Sequence, residues 1–209
     1  LDRWVKVLLA DYLHLAANKI VHSGALFAAA ARAHERESER TRRIKNQGKG
    51  LNSKFIVPLD VTRRVAESVI DGITTEEIDN IIAHECARMV TTHPDYSVLA
   101  SRILLTRWQK SIALSFSENI GVMYDNIDPT TGEHAPLVSQ ELHDLVSKPS
   151  VARKLDRSIV HDRDYGLDYF GLMTLKRGYL KSDGNEVLET PQFMWMRVAL
   201  GIHGSDIVS

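Results

Sequence analysis

The sequence predicts a mainly α fold, and three observations carry that prediction. Apolar residues recur at three- and four-residue intervals along most of the 209-residue chain. Helix-start and helix-stop residues punctuate those runs, as with Thr74 and Glu77 at one boundary and Gly72 at another. Strand signals are confined to one short stretch, KSDGNEVLET, where a turn around Asp183 and Gly184 leads into a short strand.

The elements follow in order. Residues 1 to 43 read as helix: Leu8, Tyr12, Leu15 and Ala16 share a face, and the run HERESERTRR follows. That run is read as a solvated helix face in which Glu39 pairs with Arg43 and Glu37 with Arg40. Acidic residues interrupt its basic ones and no aromatic is interleaved, which argues against a nucleic-acid role for Arg40, Arg42, Arg43 and Lys45. NQGKGLN breaks the pattern. From Pro58, Val61, Val65 and Val69 stack on one face, and Gly72 is the expected stop. ITTEEIDNII then supplies a capping box, Thr74 with Glu77, ahead of a stripe of Ile78, Ile81, Ile82, Cys86 and Met89. A third helix carries Tyr96, Leu99, Ile103 and Leu104. Short connections make these helices antiparallel neighbours in a small bundle.

DPTTGEHAPL (128–137) is a Pro/Gly/Asp-rich boundary. Beyond it come two amphipathic segments, LVSQELHDLVS and VARKLDRSIV, and then a stretch crowded with Tyr165, Tyr169, Phe170 and Tyr179. The last helix opens at Pro191, a residue preset for a first helical turn. Phe193, Met194, Trp195, Met196, Val198 and Leu200 make it apolar almost all round, so it requires burial on two sides. Gly201 and Gly204 are expected to end it. What should cover its second face is expected to lie outside this sequence, and the absence of an initial Met points to truncation at the other end too.

Composition bounds the function. At 44% hydrophobic the chain can bury a core, and 26 basic against 27 acidic residues leave a net charge of -1. Such a balance gives no global field to draw in nucleic acid or anionic membrane, so any anion site must be local. The longest small-apolar run, ALFAAAA, is far too short to cross a bilayer. The single cysteine, Cys86, excludes an internal disulfide, suits a reducing, cytoplasmic setting, and lies on an apolar helix face as a buried, inert thiol.

Familiar catalytic and metal patterns fit poorly. His84 and Cys86 are two residues apart on a helix and point to nearly opposite sides. Asp162, Asp164 and Asp168 depart from calcium-loop spacing, and the intervening Arg163 argues for ion pairing, so no metal site is expected. No nucleophile elbow, P-loop or dinucleotide fingerprint occurs. One local anion site remains: the helix start at Thr74 and Thr75 offers backbone N–H groups, with Lys110 able to approach it in a packed bundle. From physics alone, a plain helix cap is the better reading of the same residues.

A longer match goes further. VHDRDYGLDYFGLMTLKRGYL and then VLETPQFMWMRVALGIHGSDI resemble the opening of the catalytic domain in the large (alpha) subunit of class I ribonucleotide reductase. That family reads DRDF-x-x-DYFGFKTLERSYL and ERPQHMLMRVSVGIHGEDI. Upstream, GLNSKFIVPLDVTRRVAESVIDGITTEEID, TTHPDYSVLASRI and YDNIDPTTGEHAPLVS resemble the family's ATP-cone and the linker after it. The resemblance covers roughly 44 to 207.

It implies three parts: an unassigned helical segment over 1–43, an ATP-cone-like helical domain over 44–127, and over 128–209 a linker and the truncated start of a ten-stranded α/β barrel domain. The family reduces ribonucleoside diphosphates to deoxyribonucleotides for DNA synthesis. It uses a cysteine thiyl radical supplied through a metal-containing small subunit and a cysteine pair as reductant. The implied partners are that small subunit, nucleotides, and further copies in a homodimer or higher oligomer. Thr75 and Asp79 fall on the effector-contacting positions of the family's GVTTxELD motif, and Lys110 on the lysine after the third helix, with ATP and dATP as allosteric effectors. Residues 1–43 show nothing like the family's V-x-K-R-D-G-R hairpin, so nucleotide binding is expected to be weak or lost. The catalytic cysteines lie beyond this sequence, and Cys86 is not one of them; the chain alone is expected to be inactive. Two alternatives stay open, a non-enzymatic nucleotide-sensing module and a helical interaction protein.

Overall fold

A computed structural model describes residues 35–36, 38–68, 73–183 and 186–207. The helix stripe of Leu8 to Ala16, the Glu37 pairing, Val69 and the Gly72 stop lie outside the described residues. The chain divides into two compact units, Leu1–Arg43 and Ile44–Ser209. In the first, residues 38–43 are helical, and Glu39 pairs with Arg42 on an exposed face.

The second unit holds α1 (Pro58–Ser68), α2 (Thr75–Arg88), α3 (Asp95–Ile112), α4 (Phe116–Tyr124), α5 (Gln140–Val146), α6 (Pro149–Ser158), α7 (Tyr169–Gly178) and α8 (Pro191–His203). Strands β1 (Ser182–Asp183) and β2 (Glu186–Val187) pair antiparallel, with Ser182 opposite Val187. The expected turn and short strand are therefore a miniature hairpin.

The predicted stripes form most of the core, with Ile78 and Ile81 only half-buried against it. Val61 and Val65 of α1, Ile82, Cys86 and Met89 from α2 and the turn after it, and Tyr96, Leu99, Ile103 and Leu104 of α3 are all buried. Helix α3 is central: it packs against α2 and also against α7 and the 3-10 turn His161–Gly166. The Tyr96 hydroxyl donates to the Phe55 carbonyl (3.0 Å) and accepts from Val57 N (3.3 Å), fixing the chain just before α1.

The boundary at DPTTGEHAPL is an ordered turn. The Asp128 carboxylate accepts from Thr130 N (2.7 Å) and Thr131 N (3.2 Å), and those bonds hold its carboxyl below the usual range. Gly132, at φ +72°, supplies the left-handed residue the turn requires.

Helix α8 starts at Pro191 as read, and the structure adds a cap, Thr190, which accepts from Phe193 N. Its stop differs. The helix runs through Gly201 and ends at Gly204, whose φ of +56° does what Gly201 does not. Phe193, Met194 and Leu200 are buried, while Trp195 (53% exposed), Val198 and Ile202 (71%) form an open face. One side of α8 is thus packed within the chain and the other is bare.

Candidate functional site

The candidate site forms where the start of α2 meets the end of α3. Thr74 sits in extended backbone ahead of α2. Its Oγ1 accepts from Glu77 N (3.2 Å), and Glu77 Oε2 in turn accepts from Thr74 N (2.9 Å), completing the capping box read from the sequence. The backbone bond first, and the Thr74 hydroxyl second, hold the Glu77 carboxyl below its ordinary range. Thr75, the first residue of α2, is exposed.

Arg107 joins the two helices. Its Nη1 donates to the Glu76 carbonyl (3.1 Å) and to Asn80 Oδ1 (3.0 Å), and lies 3.3 Å from Glu76 Oε1. These contacts show that α2 begins beside the end of α3, as the short connection between them predicts. Lys110 follows Arg107 by three residues, a rise of about 4.5 Å, which carries it past the first turn of α2. It is exposed, in the last turn of a helix whose terminal carbonyls favour a cation. Helix α3 closes at Ala113, a non-glycine residue at φ +39° whose N–H donates to the Gln109 carbonyl (3.2 Å).

A cleft of about 410 Å³ opens beside this junction, with Thr74, Glu76, Asn80, Arg107, Lys176 and Glu186 among its lining residues. The ammonium of Lys176 lies 6.0 Å above the Trp108 ring. The helix start has the backbone polarity of an anion site, yet it also bears Glu76 and Glu77. Each is restrained, Glu76 by Arg107 and Glu77 by Thr74.

Cys86 is fully buried, and burial, helped by the charge of Glu85, pushes its thiol up to about 12. At neutral pH it is not a nucleophile. His84 is exposed and sits edge-on to Tyr169, on a different side of α2 from Cys86 as their spacing requires. Among the described residues, no three His, Cys, Asp or Glu side chains are grouped so as to hold a metal ion. The three aspartates separate. Asp162 is exposed and Asp168 caps α7 through Gly171 N (2.8 Å). Asp164 is buried and accepts from Gln109 Nε2 (3.3 Å) and Gln192 N (3.0 Å), two neutral donors in place of the ion pair the sequence suggested. Among the described residues, no helix is long and apolar enough to cross a membrane.

Two family models match the chain: the ATP cone domain over residues 25–111, and the ribonucleotide reductase all-alpha domain over 165–208. The ribonucleoside-diphosphate reductase large chain 2 of Saccharomyces cerevisiae is 45% identical over 169 residues, covering 81% of this chain and 19% of that protein. The ribonucleoside-diphosphate reductase large subunit of Caenorhabditis elegans is 43% identical over 169 residues, with 81% and 21% covered. The large chain of Schizosaccharomyces pombe is 40% identical over 167 residues, with 80% and 20% covered. The chain belongs to the ribonucleotide reductase large-subunit family. It spans about a fifth of the length of the curated relatives it matches.

The ATP cone match opens at residue 25, upstream of the expected boundary at 44, and its first ten residues lie outside the described ones. Within the cone, Thr75 and Lys110 share the open end of the α2–α3 pair, while Asp79 is only 4% exposed and faces inward. Arg107 and Asn80 were not singled out from the sequence. The signal was present for Arg107, which precedes Lys110 by one helical turn and so shares its side of α3.

Proposed function

We propose that this chain is the nucleotide-sensing N-terminal portion of a ribonucleoside-diphosphate reductase large subunit. ATP or dATP binds at the open end of the cone, and weakly, since residues 1–43 offer no counterpart in sequence to the family's basic hairpin. The carrying observation is the placement of Thr75 and Lys110 at one end of the α2–α3 pair, within the stretch that matches the ATP cone. Helix-start N–H groups and a lysine are a common pairing for phosphate oxygens. Asp79, one turn behind Thr75 and buried, supports the nucleoside end of the site from within.

The intact protein reduces ribonucleoside diphosphates to their deoxy forms, in the cytoplasm, as a homodimer or higher oligomer with a radical-supplying small subunit. That chemistry calls for a thiyl-forming cysteine and a cysteine pair. The only cysteine of these 209 residues is buried, with its thiol pushed up to about 12. The chain alone therefore has no reductase activity. Incubation with a ribonucleoside diphosphate, a small subunit and a dithiol should yield no deoxyribonucleotide, and product above the no-protein control would defeat the assignment.

The effector site is tested by calorimetric titration of the 209-residue chain with ATP and dATP. Thr75→Ala and Lys110→Ala should each weaken binding by about tenfold, the loss of one charge-assisted contact. Equal affinity in wild type and both variants would place the nucleotide elsewhere.

A further inference from the structure

The candidate site contains an electrostatic conflict. A polyphosphate at the start of α2 meets two glutamates, Glu76 and Glu77, in the very turn that should attract it. Glu77 is turned back onto Thr74 by the capping box and is held in place. Glu76 has no such local tie. What restrains it is Arg107, from the neighbouring helix.

We infer that Arg107 is a positioning residue of the effector site: it clamps the first turn of α2 and cancels the charge of Glu76, so that an anionic nucleotide can settle between Thr75 and Lys110. The inference rests on the effector-site reading above. Three contacts carry it. The bond to the Glu76 carbonyl fixes backbone directly after Thr75 (3.1 Å), and the bond to Asn80 Oδ1 (3.0 Å) holds the next turn. The ion pair with Glu76 Oε1 (3.3 Å) takes the carboxylate into a neutral pair. The Arg107 side chain is largely buried, at 15% exposed, while Glu76 is 46% exposed, so the pair is half-screened, and the bonds to the Glu76 carbonyl and Asn80 do most to hold the guanidinium in place. A guanidinium suits the role because its planar fork reaches carbonyl, amide and carboxylate together, which an ammonium cannot. Arg107 also stands one turn before Lys110, so it sets the offset between the phosphate-binding lysine and the helix start it must serve.

The test is ATP and dATP affinity of the full 209-residue chain, measured at low temperature where every variant is folded by circular dichroism. Arg107→Ala should weaken binding about tenfold and Arg107→Lys by less, since a lysine keeps only the charge. The discriminating variant is the double change Arg107→Ala with Glu76→Gln. With the unpaired carboxylate gone, it should recover most of the lost affinity while remaining as thermally labile as Arg107→Ala alone. An affinity unchanged in Arg107→Ala while Lys110→Ala weakens it would overturn the inference and leave the site standing. No recovery in the double variant would likewise reduce Arg107 to a structural role. Absence of binding by the wild-type chain would remove both the site and the inference.

Discussion

Replacing Arg197 by Ala should cost roughly 3–5 kcal/mol of folding stability, the usual penalty for stranding one partner of a buried ion pair. The partner is Glu189, which is 0% exposed. Arg197 Nε donates to Glu189 Oε2 (2.9 Å) and Nη2 to Oε1 (2.7 Å), a two-point grip, and Lys181 N adds a third bond to Oε1 (2.8 Å). The same Nη2 donates to the Tyr179 carbonyl at 3.3 Å. One guanidinium thus ties the hairpin's flanks and the end of α7 to α8. Removing it leaves a carboxylate in the interior with one backbone donor. Arg197→Lys should recover only part of the loss, because a single ammonium cannot reproduce the fork. The double change Glu189→Leu with Arg197→Met should be closer to wild type than Arg197→Ala is, since it removes the buried charge along with its partner. Urea unfolding with unchanged m-values measures all three. A cost below about 1 kcal/mol for Arg197→Ala would mean that Glu189 finds water or another donor, and that the burial described for it is wrong.

What was legible beforehand divides along the same physical line as these interactions. The Thr74–Glu77 capping box, the α1 to α3 stripes and the Pro191 start of α8 were all readable, because each is decided by residues within a turn or two of one another. Gly201 misled because glycine inside a helix costs only about 1 kcal/mol, and the packing of Leu200 and Met194 outweighs it. The true stop at Gly204 depends on a positive φ that composition does not reveal. At the candidate site, helix polarity and Lys110 were legible, while Arg107's grip on Glu76 and Asn80 spans about thirty residues and follows only from how α2 and α3 dock. Asp164 was the largest surprise. An arginine stands next to it, yet its partners lie 55 and 28 residues away, on α3 and on α8. Adjacency in sequence on a 3-10 turn says little about which side chains point inward.

That burial of Asp164 makes the second large prediction, a stability that falls as pH rises through the mildly acidic range. Desolvation raises its pKa from the ordinary 3.8 to about 6, against the opposing pull of the Gln109 and Gln192 donors. The folded chain therefore keeps a proton on this carboxyl between about pH 4 and 6 that the unfolded chain has already released. Unfolding free energy must then decline across that window and level off above it. The full decline should be about 2 kcal/mol, somewhat less than the whole shift converts to, because the charge is partly screened. Asp164→Asn removes the titration. It also loses an acceptor for either Gln109 or Gln192, a cost independent of pH. The measurable signature is therefore a slope: the difference between variant and wild type should move in the variant's favour from pH 4 to pH 7. Glu77, Glu118 and Asp128, whose carboxyls are held below their ordinary range by their own hydrogen bonds, are the same in both proteins and drop out of the difference. Parallel stability curves for the two proteins would show that Asp164 is not the buried, reluctant acid described here. If the slope is found, the side chain that ties the last cone helix to the first turn of α8 holds its charge at neutral pH against an energetic cost. The hydrogen bonds of Gln109 and Gln192 are what keep that charge in place.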